Sequence, residues 1–213
     1  MLAAVPKVVG DAHAPEWQRY LRGLWLSGFR IGESLSLSWD EGAGIVVDLH
    51  GRNPVAHIVA AAQKSRRTET IPLAPEFGEL LAETPSELRF GLVFNPLGEK
   101  GRRIALEAAI RTVSAIGRRA NVKTWVNPKS GAAKCATAHD LRRSFGTRWA
   151  SLVMPAVLQQ MMRHSSIQTT MAFYVTRNAV TAGDDIRAAL EKSRLGNSSG
   201  NTATPAHKKS TRG

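Results

Sequence analysis

Three short extended stretches early in the chain constrain its fold more than any other feature. Gly44-Ile45-Val46-Val47-Asp48-Leu49 and Val55-Ala56-His57-Ile58-Val59 are β-branched runs separated by the turn cluster His50-Gly51-Arg52-Asn53-Pro54, and Thr70-Ile71-Pro72-Leu73 ends a third. Such runs bounded by Gly, Pro and Asn read as neighbouring antiparallel strands. On both sides of them the apolar residues return to helical spacing. Trp17, Tyr20, Leu21, Leu24 and Trp25 recur at three and four residues, predicting a helix that runs to about Ser27-Gly28, with a second, short one over residues 30–37. Further helices are predicted over 75–83, 103–119, 139–152, 155–162, a short one from Ser166, and 178–193. The expected fold is therefore α+β, predominantly helical, with a small three-stranded antiparallel sheet. Its second turn carries Lys64-Ser65-Arg66-Arg67, and residues 121–137 read as a loop of Lys, Asn, Pro, Ser and Gly.

A chain of 213 residues with 43% hydrophobic content can bury one core of ordinary size. No stretch approaches the roughly 20 apolar residues of a membrane span, and no signal peptide is recognisable, so the expected location is cytoplasmic with no membrane partner. The single cysteine, Cys135, excludes an internal disulfide and is expected to be inert. The formal net charge of +12 is unevenly placed. Residues 100–134 hold nine Lys or Arg against Glu107 alone, residues 193–213 hold four against none, and the remainder is neutral. A basic belt of this kind fits a polyanion, nucleic acid first and acidic membrane second; it also fits a solvated face that keeps the protein soluble. From Gly196 the composition is too poor in apolar residues to offset the entropy of ordering, and residues 194–213 are expected to form a disordered basic tail.

Within the helix predicted from His139, Leu141, Phe145 and Trp149 form an apolar stripe, while His139 and Arg142 lie one turn apart on another face, able to meet a ligand. Downstream stand His164 in Met161-Met162-Arg163-His164 and Tyr174 in Phe173-Tyr174. Upstream, Ser27-Gly28-Phe29-Arg30-Ile31-Gly32-Glu33 places Arg30 after a glycine at a helix junction, and Lys64 sits at a hairpin tip before Ile71-Pro72-Leu73. Imidazoles, guanidinium groups, an amine and a phenol suit work on a phosphodiester, where charge must be neutralised and a nucleophile supplied. Each residue also has a structural explanation: Arg30 as an ion-pair partner of Glu33, Lys64 as a solvated turn residue, His164 at a helix end, Tyr174 as a core aromatic. Those explanations leave the common order of six positions as coincidence. A zinc site built on Cys135, His139 and His164 matches no closed ligand spacing and leaves the Arg and Lys set unexplained.

In order and approximate spacing, Arg30, Lys64, His139, Arg142, His164 and Tyr174 resemble the active-site motifs of the tyrosine recombinases, the phage-integrase family, over nearly all of residues 2–193. The resemblance implies the catalytic-domain fold of that family and site-specific DNA recombination or integration without cofactor. Arg30 and Arg142 would clamp the scissile phosphate, His139 and His164 would complete the cradle, and His139 would also move the nucleophile's proton. Lys64 would protonate the leaving 5′-oxygen and Tyr174 would attack phosphorus to give a 3′-phosphotyrosyl link. Arg66, Arg67, Arg118, Arg119, Lys123 and Arg143 are the expected DNA-backbone contacts. Double-stranded DNA is the expected partner, bound by a tetramer of the chain on paired sites, with residues 178–193 as a segment exchanged between neighbours.

The sequence departs from the family pattern in three places. Arg163 stands in Met162-Arg163-His164 where many members carry Leu-Gly-His, and is expected to contact phosphate or to cover surface. Members commonly place the tyrosine nine residues after the second histidine, where this chain has Phe173; Tyr174 is one further on, and Tyr20 lies at a core-like position. Met1-Leu2-Ala3-Ala4-Val5-Pro6 reads as the end of the catalytic domain's own first helix, leaving no room for the helical core-binding domain of other members. Without it, DNA binding is expected to be weak and salt-sensitive, with the chemistry intact but poor activity of this chain alone. Two other functions fit the same residues: a type IB topoisomerase-like relaxing enzyme and a non-catalytic DNA-binding remnant of an integrase.

Overall fold

The computed structural model describes residues 1–59, 68–98, 101–175, 183–184, 186–191 and 194. By internal contacts the chain divides into residues 1–174 and 175–213. In the second unit, residues 183–184 and 186–191 are helical, within the span predicted for the last helix. The expected disordered tail lies outside the described residues apart from Arg194, as do Lys64, Arg66 and Arg67.

The first unit begins with a 3-10 turn, Leu2–Ala4, and a single helical turn, α1, Pro6–Val9. Helix α2, Ala14–Ser27, buries Trp17, Tyr20, Leu21 and Leu24 along the predicted stripe. Its end is set by Gly28, which has φ +67°, a left-handed conformation that costs glycine little. A Cβ there would also stand 2.4 Å from the Phe145 ring, so both backbone and packing demand glycine. Helix α3 is only Ile31–Leu35, because the chain then leaves helix to form β1, Leu37–Ser38.

The sheet has four strands among the described residues, in the order β1-β2-β3-β4. Strands β2, Ile45–Asp48, β3, Val55–Ile58, and β4, Glu69–Pro72, pair antiparallel as expected. The expectation of a three-stranded antiparallel sheet is corrected by β1, which adds a parallel pair, Leu37 with Ile45 and Ser38 with Val46. Two residues carry no alternation that a sequence can display. A second correction concerns the stretch read as a loop: β5, Lys123–Val126, and β6, Ala133–Cys135, form a hairpin with an irregularity between Lys123 and Trp125. Every residue of β5 is exposed, so no buried face marks it as a strand.

Helices complete the unit: α4, Pro75–Ala82, α5, Leu106–Arg119, α6, Ala138–Trp149, α7, Pro155–Met162, and α8, Ile167–Val175. Aromatic residues from separate elements knit the core, with Tyr20 edge-on to Trp17 and Phe94, and Phe77 against Phe29 and Phe94. Edge-to-face geometry suits the ring quadrupoles. No described helix is long and apolar enough to cross a membrane.

Candidate active site

Helix α6 is held first at its beginning. The Asp140 carboxylate accepts hydrogen bonds from the Thr137 N–H at 3.0 Å and the Thr137 hydroxyl at 2.6 Å, which fixes the first turn. Burial pushes the Asp140 pKa up, but the Thr137 bonds and the Lys134 ammonium at 3.4 Å outweigh it and hold the group below the usual carboxylate range. Leu141 and Phe145 then bury the apolar stripe, with Trp149 packed against the core beside them. This anchoring aims Arg142.

Arg142 does not project into solvent as the helical pattern suggested; it is 6% exposed. Its Nη1 donates to the Gly28 carbonyl and its Nη2 to the Met162 carbonyl. One guanidinium thus joins the end of α2, the middle of α6 and the end of α7. Burial, then the charge of Arg30, lowers its pKa to about 10, which leaves it cationic at neutral pH. Carbonyl acceptors offer no counter-charge, and the pull of Glu33 is smaller than the opposing push of Arg30, so a positive field remains available to an anion.

Arg30 and His164 share that field. Arg30 caps α3 with its side chain half exposed, and donates from Nη1 to Glu33 Oε1 at 2.9 Å. The ion-pair explanation for Arg30 is therefore real, and it coexists with exposure to a ligand. His164 follows α7, stacks at 5.9 Å and 11° on the Phe173 ring, and has Nδ1 3.0 Å from the Thr170 hydroxyl. Burial, then Arg142 and Arg30, hold its pKa below the usual histidine range, so the ring is neutral at neutral pH. His139 is exposed in the first turn of α6, on the same helix as Arg142.

Tyr174 is placed differently. Its hydroxyl donates to the Val153 carbonyl at 2.7 Å, in the connection between α6 and α7, and its ring packs against the core. Phe173, one residue earlier, is the side chain against His164, as the rotation of about 100° per helical residue requires. The structure therefore brings Arg30, Arg142 and His164 together and holds the Tyr174 hydroxyl on Val153. Tyr20 is fully buried, with its hydroxyl 3.0 Å from Ser34 Oγ. Lys64 lies outside the described residues.

Arg118 and Arg119 are exposed in the last turn of α5, Lys123 is exposed at the start of β5, and Arg143 is exposed beside Arg142. Two partners left no signal in the sequence: Thr170 is fully buried and faces His164, and Gln159 Nε2 donates to the His164 carbonyl at 3.1 Å. Arg163, expected to contact phosphate or to cover surface, is mostly enclosed and bonds Glu33.

The fold resembles several solved DNA-bound enzymes. The Tn1549 transposon integrase (residues 82–397) in complex with circular intermediate DNA shares 19% identity at a TM-score of 0.55, covering 89% of this chain and 64% of its own. The XerH site-specific recombinase bound to palindromic difH, a post-cleavage complex, shares 19% at 0.52, covering 81% and 46%. A lambda integrase (75–356) dimer bound to a COC′ core site shares 12% at 0.52, covering 80% and 56%. At these identities the likeness is one of fold, and this chain spans less than two thirds of the length of each. No curated protein matches the sequence as a relative. The model of the phage integrase family matches residues 8–180, most of the chain and all of the cluster just described. The chain belongs to the phage integrase family, whose members are the tyrosine recombinases.

Proposed function

We propose that this chain cuts and rejoins double-stranded DNA at defined sites through a covalent 3′-phosphotyrosyl intermediate, as a tyrosine recombinase. The observation that carries the reading is a buried, cationic Arg142 sharing its field with Arg30 and a neutral His164, within a chain of this family. Residues 1–193 are the catalytic domain in this reading.

Phosphodiester cleavage builds negative charge on the non-bridging oxygens, and donors fixed before the reaction stabilise it without reorganising. Arg142 is fixed by two carbonyls, and Arg30 can turn from Glu33 to the same phosphate. In the tautomer whose Nδ1 accepts from the Thr170 hydroxyl, the neutral His164 ring carries its proton on Nε2 and can donate a third bond. Tyr174 Oη attacks phosphorus, its proton passes to His139, the bond from phosphorus to the 5′-oxygen breaks, and Lys64 gives that oxygen a proton. The ester conserves the energy of the broken bond, so a 5′-hydroxyl of another strand reverses the step. A phenol has one proton, so transfer to His139 follows loss of the bond to Val153. Helix α8 must therefore move, or Tyr174 change rotamer, when DNA engages.

Arg66, Arg67, Arg118, Arg119, Lys123 and Arg143 contact the DNA backbone in this reading, and a tetramer on paired sites exchanges strands in the cytoplasm. Neutralising Arg118, Arg119 and Lys123 flattens the salt dependence of DNA binding; an unchanged slope removes them from the interface. The reaction itself is tested with a nicked suicide duplex carrying the site. A covalent protein–DNA band on a denaturing gel, absent with Tyr174→Phe, is expected. No band even after fusion to a core-binding domain marks a DNA-binding remnant, and plasmid relaxation without site preference marks a topoisomerase.

A further inference from the structure

Arg163 occupies a backbone position that disfavours it. It closes α7 at φ +52° and ψ +50°, the left-handed region that side chains with a Cβ enter at a cost. Its side chain is mostly enclosed, 18% exposed, and Nη1 donates to Glu33 Oε1 at 2.7 Å. The same Oε1 accepts from Arg30 at 2.9 Å, while Glu33 Oε2 caps the Arg30 N–H at 2.9 Å. Arg163 Nε lies 3.6 Å from Glu69 Oε2 without hydrogen-bond geometry, and is buried. Two guanidinium groups from opposite ends of the chain thus divide one carboxylate oxygen.

The two are not equivalent. Arg30 is 53% exposed and open to solvent, whereas Arg163 is enclosed. The Glu33 side chain is 17% exposed, and a carboxylate so placed is costly to leave without a counter-charge. We propose that Arg163 is a positioning residue: it keeps Glu33 neutralised when Arg30 turns to a phosphate, and so lets Arg30 go. Without Arg163, Glu33 holds Arg30 alone and competes with the phosphate for it. The inference rests on the reading of Arg30 as a phosphate ligand.

The test is a set of dissociation constants for a short duplex of random sequence at fixed, low salt. Arg30→Ala is introduced into the native background and into Arg163→Gly, Arg163→Lys and Arg163→Gly with Glu33→Gln. Glycine relieves the left-handed backbone, so the Arg163→Gly chain folds, which melting by circular dichroism verifies. In the native background Arg30→Ala weakens binding about tenfold; with Arg163→Gly the weakening shrinks to about twofold, because Arg30 is already held by Glu33. Adding Glu33→Gln restores the larger effect, and Arg163→Lys, which keeps the charge, stays near the native value. An Arg30→Ala effect that is equally large in the Arg163→Gly background, or Lys no better than Gly, overturns the proposal alone. An Arg30→Ala change without effect in the native background overturns the proposal together with the reading of Arg30.

Discussion

Helices α6 and α8 carry the two halves of the proposed chemistry, and they are built differently. Helix α6 begins with the reciprocal bonds of Thr137 and Asp140, buries Asp140, Leu141, Arg142, Phe145 and Gly146, and ties Arg142 to two distant carbonyls. Among the residues of α8, only Thr170 is fully buried; Phe173 and Tyr174 are half-buried. Local stability follows burial and satisfied polar groups, so α8 is the segment that opens at lower cost. Preorganised charge must not reorganise during the reaction, whereas a nucleophile gains by being held apart until substrate arrives.

Removing the centre of the rigid half has the largest expected effect. Arg142→Ala leaves the Gly28 and Met162 carbonyls without their donor and costs about 2–5 kcal/mol of stability in chemical unfolding. Arg142→Lys keeps the charge but loses the fork, at roughly half that cost. An Arg142→Ala protein as stable as the native one would remove the distinction between the helices. Gly28→Ala comes next, at about 2–4 kcal/mol, because the new Cβ meets Phe145 and the backbone stays left-handed. If this variant lost DNA cleavage more steeply than stability, the pivot under Arg142 would matter beyond packing.

The mobile half is expected to be tolerant. Tyr174→Phe loses the bond to Val153, at a cost of about 1 kcal/mol, while its neighbour Phe173 keeps its place on His164. A larger loss would make α8 a structural strut. The smallest effect concerns pH. His164 has a folded pKa below its unfolded value of about 6.5, so the unfolded chain takes up the proton first and stability falls as pH drops through and below that value. His164→Gln removes that contribution, so its melting temperature falls less than the native one between about pH 7.5 and about pH 5.5. A native-like fall would place the acid sensitivity elsewhere.

The same contrast governs what could be read in advance. Strands β2, β3 and β4 announce themselves because β-branched residues alternate between a core face and an outer face, and α2 and α6 because most of each apolar stripe is buried where the period places it, Trp25 of α2 being the exposed exception. Strand β1 has two residues, and the β5–β6 hairpin leaves Trp125 and Val126 exposed, so neither offers a pattern. The order of Arg30, His139, Arg142, His164 and Tyr174 was legible. That Arg142 is buried was not, because its acceptors are backbone carbonyls 114 and 20 residues away, to which any residue type contributes equally. Nor could the spacing after His164 tell which way Tyr174 turns, since that depends on where the Val153 carbonyl lies.

In the proposed reaction the phenol held on Val153 is the group that joins DNA. Trapping the protein on a nicked suicide duplex, digesting both components and sequencing the modified peptide by mass spectrometry tests it most directly. A nucleotide attached through a 3′-phosphate to Tyr174 and to no other residue is expected. A nucleotide on a different side chain, or strand cleavage that leaves Tyr174 unmodified in trapped complexes, would contradict it.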